Sequence, residues 1–109
     1  MKILFAVENN AGIESKLDSR FGRAAYFLVY DTDKKEVVSV VENAFKNADH
    51  GAGIKAASLV VESGCSIAVG AQPGPKAVAV LHEAKIKIIA DDNGTVKDAL
   101  ERHKEEWPL

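Results

Sequence analysis

Behind Lys2, Ile3–Val7 is an unbroken apolar run, the pattern of a strand buried on both faces. Tyr26–Tyr30 is aromatic and β-branched. Val37, Val38, Val40 and Val41 repeat that character after the polar stretch Asp31-Thr32-Asp33-Lys34-Lys35, so the two segments read as a hairpin. Beyond the hairpin the period changes. A helix is predicted from Gly53, with Ile54, Ala57 and Val61 on its inward face and Gly64 as its stop. Ile67–Val69 is a short buried strand, Gly70-Ala71-Gln72-Pro73-Gly74 a turn, and Pro75 suits the first position of a second helix. Ala77, Val78, Leu81 and Ala84 supply that helix's buried face. Ile86, Ile88 and Ile89 form a last strand. After the turn Asp91-Asp92-Asn93-Gly94, Thr95 can cap a third helix that turns Val96, Ala99 and Leu100 inward and is closed by Trp107-Pro108.

The predicted order is β-ββ-α-β-α-β-α. Its second half is a βαβ unit, which demands parallel strands, while the hairpin supplies an antiparallel pair. The expected architecture is α/β, a mixed and roughly five-stranded sheet covered by helices. Two stretches lie outside the pattern. Glu8 to Arg23 shows no period and carries Asn9-Asn10, Gly12 and Gly22, and a connection of that kind is usually functional or mobile. Asn43 to His50 is a polar loop with Phe45 as its one large anchor.

Length and charge narrow the possibilities. The 109 residues suit one domain with one core, spanning 1–109. A net charge of -2 disfavours nucleic-acid binding, which needs a strongly basic face. With one cysteine, Cys65, a disulfide framework and a four-cysteine metal site are both excluded within one chain. Lys2 and five apolar residues fall short of a signal-peptide core or a membrane span, so a cytoplasmic location without a membrane partner is expected.

Three loops could carry chemistry. In Ser19-Arg20-Phe21-Gly22-Arg23 two guanidiniums three residues apart could clamp an anion, with Phe21 anchoring the loop and Gly22 allowing close approach. The plainer reading is two solvated arginines around a packed phenylalanine. In His50-Gly51-Ala52-Gly53 an imidazole stands beside free N–H groups at a helix start, a place for an anion or a metal cluster. There the plainer reading is a helix capped by Asp49, with an idle histidine. Gly70-Ala71-Gln72-Pro73-Gly74-Pro75-Lys76 lies between strand and helix, where α/β proteins place ligands. It lacks the G-x-x-x-x-G-K-[ST] spacing, which argues against a nucleoside triphosphatase and leaves a rigid turn as its alternative.

Elsewhere the chemistry is sparse. Cys65 sits between Gly64 and a buried strand, as an inert core thiol would. His82 and His103 fall in helical segments and read as surface residues. Among the carboxylates only Glu8, after the first strand, is placed to face a site. No nucleophile–base arrangement can be argued, so the expectation is a protein that is not an enzyme.

Taken in order, Arg20-Phe21-Gly22-Arg23-Ala24, His50-Gly51-Ala52-Gly53-Ile54 and Gly74-Pro75-Lys76-Ala77 resemble the dinitrogenase iron–molybdenum cofactor-binding family, small accessory and carrier proteins of nitrogenase cofactor biosynthesis. The chain is similar to its short, stand-alone members over essentially its whole length. The resemblance implies a ribonuclease H-like fold and binding of an iron–sulfur or iron–molybdenum type cluster, or its precursor, in a carrier role. It implies Arg20, Phe21, Gly22, Arg23, His50, Gly51, Gly53, Gly74 and Lys76 as the cofactor-binding residues, with His50 as candidate metal ligand. The implied partners are the metallocluster and a cluster donor or acceptor protein, with the oligomeric state open. Many members have histidine where this chain has Arg20, which exchanges a potential ligand for a positive charge. A different class of reading is a regulatory module that binds a small anionic metabolite or nucleotide through the same loops. A nuclease would need several carboxylates around a divalent metal, and Glu8 stands alone.

Overall fold

The computed structural model describes residues 1–107. Its core strand is β1 (Lys2–Val7), in which Ile3 to Val7 are all buried, as the continuous apolar run requires. β1 pairs antiparallel with β2 (Tyr26–Asp31) on one side and parallel with β4 (Ile67–Gly70) on the other. β3 (Glu36–Glu42) adds antiparallel to β2, and β5 (Lys87–Ala90) adds parallel to β4, giving one five-stranded sheet in the order β3-β2-β1-β4-β5. Three helices accompany it: α1 (Ala52–Glu62), α2 (Pro75–Glu83) and α3 (Val96–Arg102). The mixed sheet and the element order are those predicted.

Strand alternation divides the core between the two faces. Leu4, Ala6, Phe27, Val29 and Ala68 meet Ala56, Ala57 and Val60 of α1 and Ala77 and Leu81 of α2. Ile3, Phe5, Leu28, Ile67 and Val69 meet Leu17, Trp107, and Val96 and Ala99 of α3. Trp107 closes that second layer edge-on to Phe5, with ring centroids 6.1 Å apart.

Several local expectations are corrected. α1 begins at Ala52, one residue before the predicted start, and Asp49 does not cap it. Its inward face is Ala56, Ala57 and Val60, whereas Ile54 and Val61 are exposed. The small residues Ala56 and Ala57 sit in the same core cluster as Ala77 of α2, while Ile54 and Val61 are turned outward. On α2, Ala84 is exposed and Val80 packs against the core in its place. Ile86 is buried just ahead of β5 rather than within it. α3 ends at Arg102, well before the Trp107-Pro108 stop, and Pro108 lies outside the described residues.

The Glu8–Arg23 connection is irregular, but its backbone is tied down. Its one helical element is the 3-10 turn Gly12–Glu14. Asp18 N–H donates to the Ala6 carbonyl, Leu17 N–H to Gly94 and Val96 N–H to Ser15, so the segment is stitched to β1 and to the start of α3. Thr95 caps α3 as predicted, in a reciprocal capping box with Asp98.

Candidate functional site

Strands β1, β3 and β4 run in the same direction and end at one edge of the sheet, and the loops that follow them gather there. A cleft of about 590 Å³ opens at that edge. It is lined by Arg20, Gly22 and Arg23 from the first loop, Gly51 to Ile54 from the second, and Gly74 to Ala77 from the third. The three segments singled out from the sequence therefore converge.

Backbone geometry explains the glycines. Gly51 takes φ 71°, a left-handed conformation that strains any residue with a Cβ, and in it serves as the N-cap of α1. Gly22 is needed for proximity, since a Cβ there would stand 2.9 Å from the Gly53 Cα. Gly74 is the N-cap of α2, followed by Pro75 at the first helical position. Neither α1 nor α2 has a side-chain cap, and the first helical bond of each comes only at Lys55 (to Gly51) and Val78 (to Gly74). Two helix N-termini thus open into one cleft with N–H groups free for a guest.

The side chains add positive charge. Arg20, Arg23 and Lys76 line the cleft, and among the described residues no carboxylate does. Arg20 is steered from beneath by Asp18, whose buried carboxylate accepts from the Arg20 N–H at 3.0 Å, from its Nε at 3.2 Å and from the Ala25 N–H at 3.3 Å. Arg23 donates through Nη1 to the Lys46 carbonyl at 3.0 Å, tying the first loop to the Asn43–His50 segment. Asn43 makes the same join from inside. Its buried Nδ2 donates to the carbonyls of Gly22 (3.0 Å) and Ala24 (2.9 Å), while its Oδ1 accepts from the Phe45 N–H at 3.0 Å.

Two predicted site residues lie away from the lining. Phe21 is buried in the core beneath the loop, its ring 5.8 Å from that of Phe27. His50 is exposed and immediately precedes the lining residue Gly51. Among the described residues no group of three His, Cys, Asp or Glu side chains is arranged to hold a metal ion. The cleft is therefore suited to an anion held by charge and backbone donors, and His50 adjoins it only through its chain neighbour Gly51.

Asp18 and Asn43 were not foreseen. Asp18 has a local signal, an acid two residues before Arg20. Asn43, after a strand, looks like any turn residue, and nothing in the chain order reveals that its amide is buried.

The remaining polar chemistry lies elsewhere. Cys65 is buried, and desolvation pushes its thiol above the ordinary range. Glu8 is exposed beyond β1. His103, expected at the surface, is half-buried, stacked on Trp107 at 4.6 Å and bound to Asp91 and Glu106. Among the described residues no helix is long and apolar enough to cross a membrane.

Known proteins share this fold. The apo form of the orange protein from Desulfovibrio gigas superimposes with a TM-score of 0.88 at 35% identity, over 95% of this chain and 87% of that one. An NMR structure of a Thermotoga protein carrying a NifB assignment matches with a TM-score of 0.80 at 30% identity, over 96% and 88% of the two chains. An uncharacterised protein of Methanocaldococcus jannaschii is 26% identical over 102 residues, 92% of this chain and 82% of its own. The profile of the dinitrogenase iron-molybdenum cofactor family matches residues 1–106, and the chain belongs to that family.

Proposed function

We propose that this chain is a non-enzymatic binding and carrier protein for an iron–sulfur or iron–molybdenum type metallocluster, or a precursor of one, in cofactor biosynthesis or trafficking. The observation that carries the reading is a cleft shared by three cations and two uncapped helix N-termini, with no carboxylate of the described residues in its lining. A sulfide-rich cluster is anionic, and an anion leaving water needs that compensation. Arg20, Arg23 and Lys76 supply charge, and Gly22, Gly51, Gly53 and Gly74 let a bulky guest approach the backbone. Phe21 anchors the loop that carries the arginines. His50 is the candidate ligand, reaching from the rim a cargo that fills the cleft. Family membership and the likeness to the orange protein and the NifB-assigned protein support a cofactor-related role.

The carrier passes its cargo between a donor and an acceptor protein in the cytoplasm. The strand order, an antiparallel hairpin beside a parallel βαβ half, agrees with the ribonuclease H-like label that the family resemblance implies. The test is anaerobic reconstitution with iron and sulfide, with and without molybdate. Sulfide-to-metal charge-transfer absorption that remains with the protein through gel filtration is expected, and its absence overturns the reading. If His50→Ala retains all of that absorption, ligation by His50 is overturned while the cradle stands.

A second reading has one observation in its favour: the Gly74–Lys76 helix start is also a phosphate-binding geometry. It makes the chain a regulatory module for an anionic metabolite or nucleotide. Thermal stabilisation by nucleotides and not by clusters would select it.

A further inference from the structure

The two arginines of the cleft are held in different ways. Arg20 leans on the buried carboxylate of Asp18, which accepts from its N–H and its Nε and offsets its charge. Arg23 is exposed and pairs with no carboxylate among the described residues. Its Nη1 donates instead to a neutral acceptor, the Lys46 carbonyl, at 3.0 Å.

Asn43 stands behind that arrangement. The residue is 1% exposed. Its Nδ2 donates to the carbonyls of Gly22 and Ala24, at 3.0 and 2.9 Å, one on either side of Arg23. Its N–H donates to the Ala25 carbonyl at 3.0 Å, and its Oδ1 accepts from the Phe45 N–H at 3.0 Å. The Asn43 carbonyl accepts from the Lys46 N–H at 3.3 Å, and Lys46 in turn receives the Arg23 guanidinium. These bonds close a ring. One buried amide fixes the backbone around Arg23, and the turn that begins at the same residue catches the tip of its side chain. A long exposed side chain left untethered would spread over many rotamers, and ordering it would then weigh against any guest.

The residue type matters as much as its place. Two carbonyls face the side chain, so it must donate twice, which an amide does and an ionised carboxylate cannot. An amide is also neutral, so Arg23 keeps the charge that Asp18 offsets on Arg20.

We propose that Asn43 is the positioning residue of the cleft, presenting Arg23 to an anionic guest in one orientation and with its charge uncompensated. The proposal rests on the reading of the cleft as an anion cradle, and Asn43 acts on the guest only through Arg23.

NMR relaxation of the arginine Nε–H groups tests it, on wild type, Asn43→Asp and Asn43→Ser, with circular dichroism to verify each fold. The chain has three arginines, Arg20, Arg23 and Arg102, so each signal can be assigned. In wild type the Arg23 group should have an order parameter well above about 0.6, and in both variants it should fall below that value while Arg20, held by Asp18, is unchanged. A wild-type Arg23 as mobile as a free side chain overturns the proposal even if neither variant folds. A loss of order shared equally by Arg20 overturns it too. In reconstitution with iron and sulfide, Asn43→Ser should weaken cluster retention about tenfold in the wild-type background and less than about twofold beside Arg23→Gln, where the residue it positions is already gone. Equal losses in the two backgrounds overturn the proposal. Relaxation needs no cargo, so a chain that takes up no cluster overturns the carrier reading, while the order of Arg23 still decides the role of Asn43.

Discussion

Gly22 rests on Gly53 so closely that a single added methyl group would not fit: its carbon would stand 2.9 Å from the Gly53 Cα. The neighbouring atom is backbone at the start of α1, so neither side can yield by rotating a side chain. Gly22→Ala must push the Arg20–Arg23 loop off the helix. A loss of about 1–3 kcal/mol is expected in urea unfolding, together with weaker cargo retention, since the cleft is formed by that contact. A variant as stable as wild type would show that the two glycines are not in contact in solution.

Asp18 and Arg20 form an ion pair with unequal partners. The Asp18 side chain is 2% exposed and that of Arg20 is 62% exposed. Asp18→Ala strands the N–H groups of Arg20 and Ala25 and should cost about 2–3 kcal/mol. Arg20→Ala should cost under about 1 kcal/mol, because the pair's other half is largely in water. In cargo retention R20A should nonetheless show a clear loss. Equal stability losses in the two variants would refute this division of roles.

The Asp91–His103 contact makes stability depend on pH. Partial burial opposes the charge on His103, but hydrogen bonds and attraction from Asp91 and Glu106 outweigh it and raise its pKa above the ordinary 6.5. Burial likewise opposes the charge on Asp91, and bonds from His103, the Asn93 N–H and Arg102 outweigh it, lowering its pKa below 3.8. A raised histidine pKa contributes stability that is fully present below 6.5 and is lost as pH rises through the folded value. A lowered carboxylate pKa contributes stability present above 3.8 and lost as pH falls through its folded value. The pair is therefore strongest between those limits. Unfolding free energies of wild type and His103→Gln should differ most near pH 5.5 and converge toward pH 8 to 9. A difference independent of pH would mean that the stacking of His103 on Trp107 outweighs its charge.

Cargo held by cations in an open cleft should be sensitive to salt. Raising ionic strength should release a bound anionic cluster progressively, and Arg23→Gln or Lys76→Gln should each weaken retention roughly tenfold and flatten the salt dependence. Retention that survives molar salt would point to direct metal ligation instead.

Much of this could be read along the chain, because the signals were local. Thr95 with Asp98 three residues on, Pro75 after Gly74, and the unbroken run from Ile3 to Val7 each state their structure within a few residues. Ile54 and Val61 misled because periodicity finds the larger apolar residues, while the helix packs inward through Ala56 and Val60 beside the correctly read Ala57. Asp49 was a reasonable cap by residue type, yet the chain enters α1 through Gly51 in a conformation that puts no side chain over the helix end. His103 was misplaced because Asp91 lies across a turn, beyond the reach of helical spacing. The three site segments were visible singly. Their meeting depends on β1, β3 and β4 ending at one sheet edge, which follows from strand order and not from any stretch of residues.

The position of β1 has a kinetic consequence. Leu4 sits opposite Val29 on one side and Ala68 on the other. The first pairing closes across the irregular connection of residues 8–25, whereas the second must wait until β2, β3 and α1 have been gathered in as well, and more distant pairings form more slowly. The cleft takes Arg20 and Arg23 from the early-closing half and both helix starts from the late one. A chain arrested between the two stages would have a formed hairpin and nowhere to hold cargo, so loading is deferred until the fold is complete.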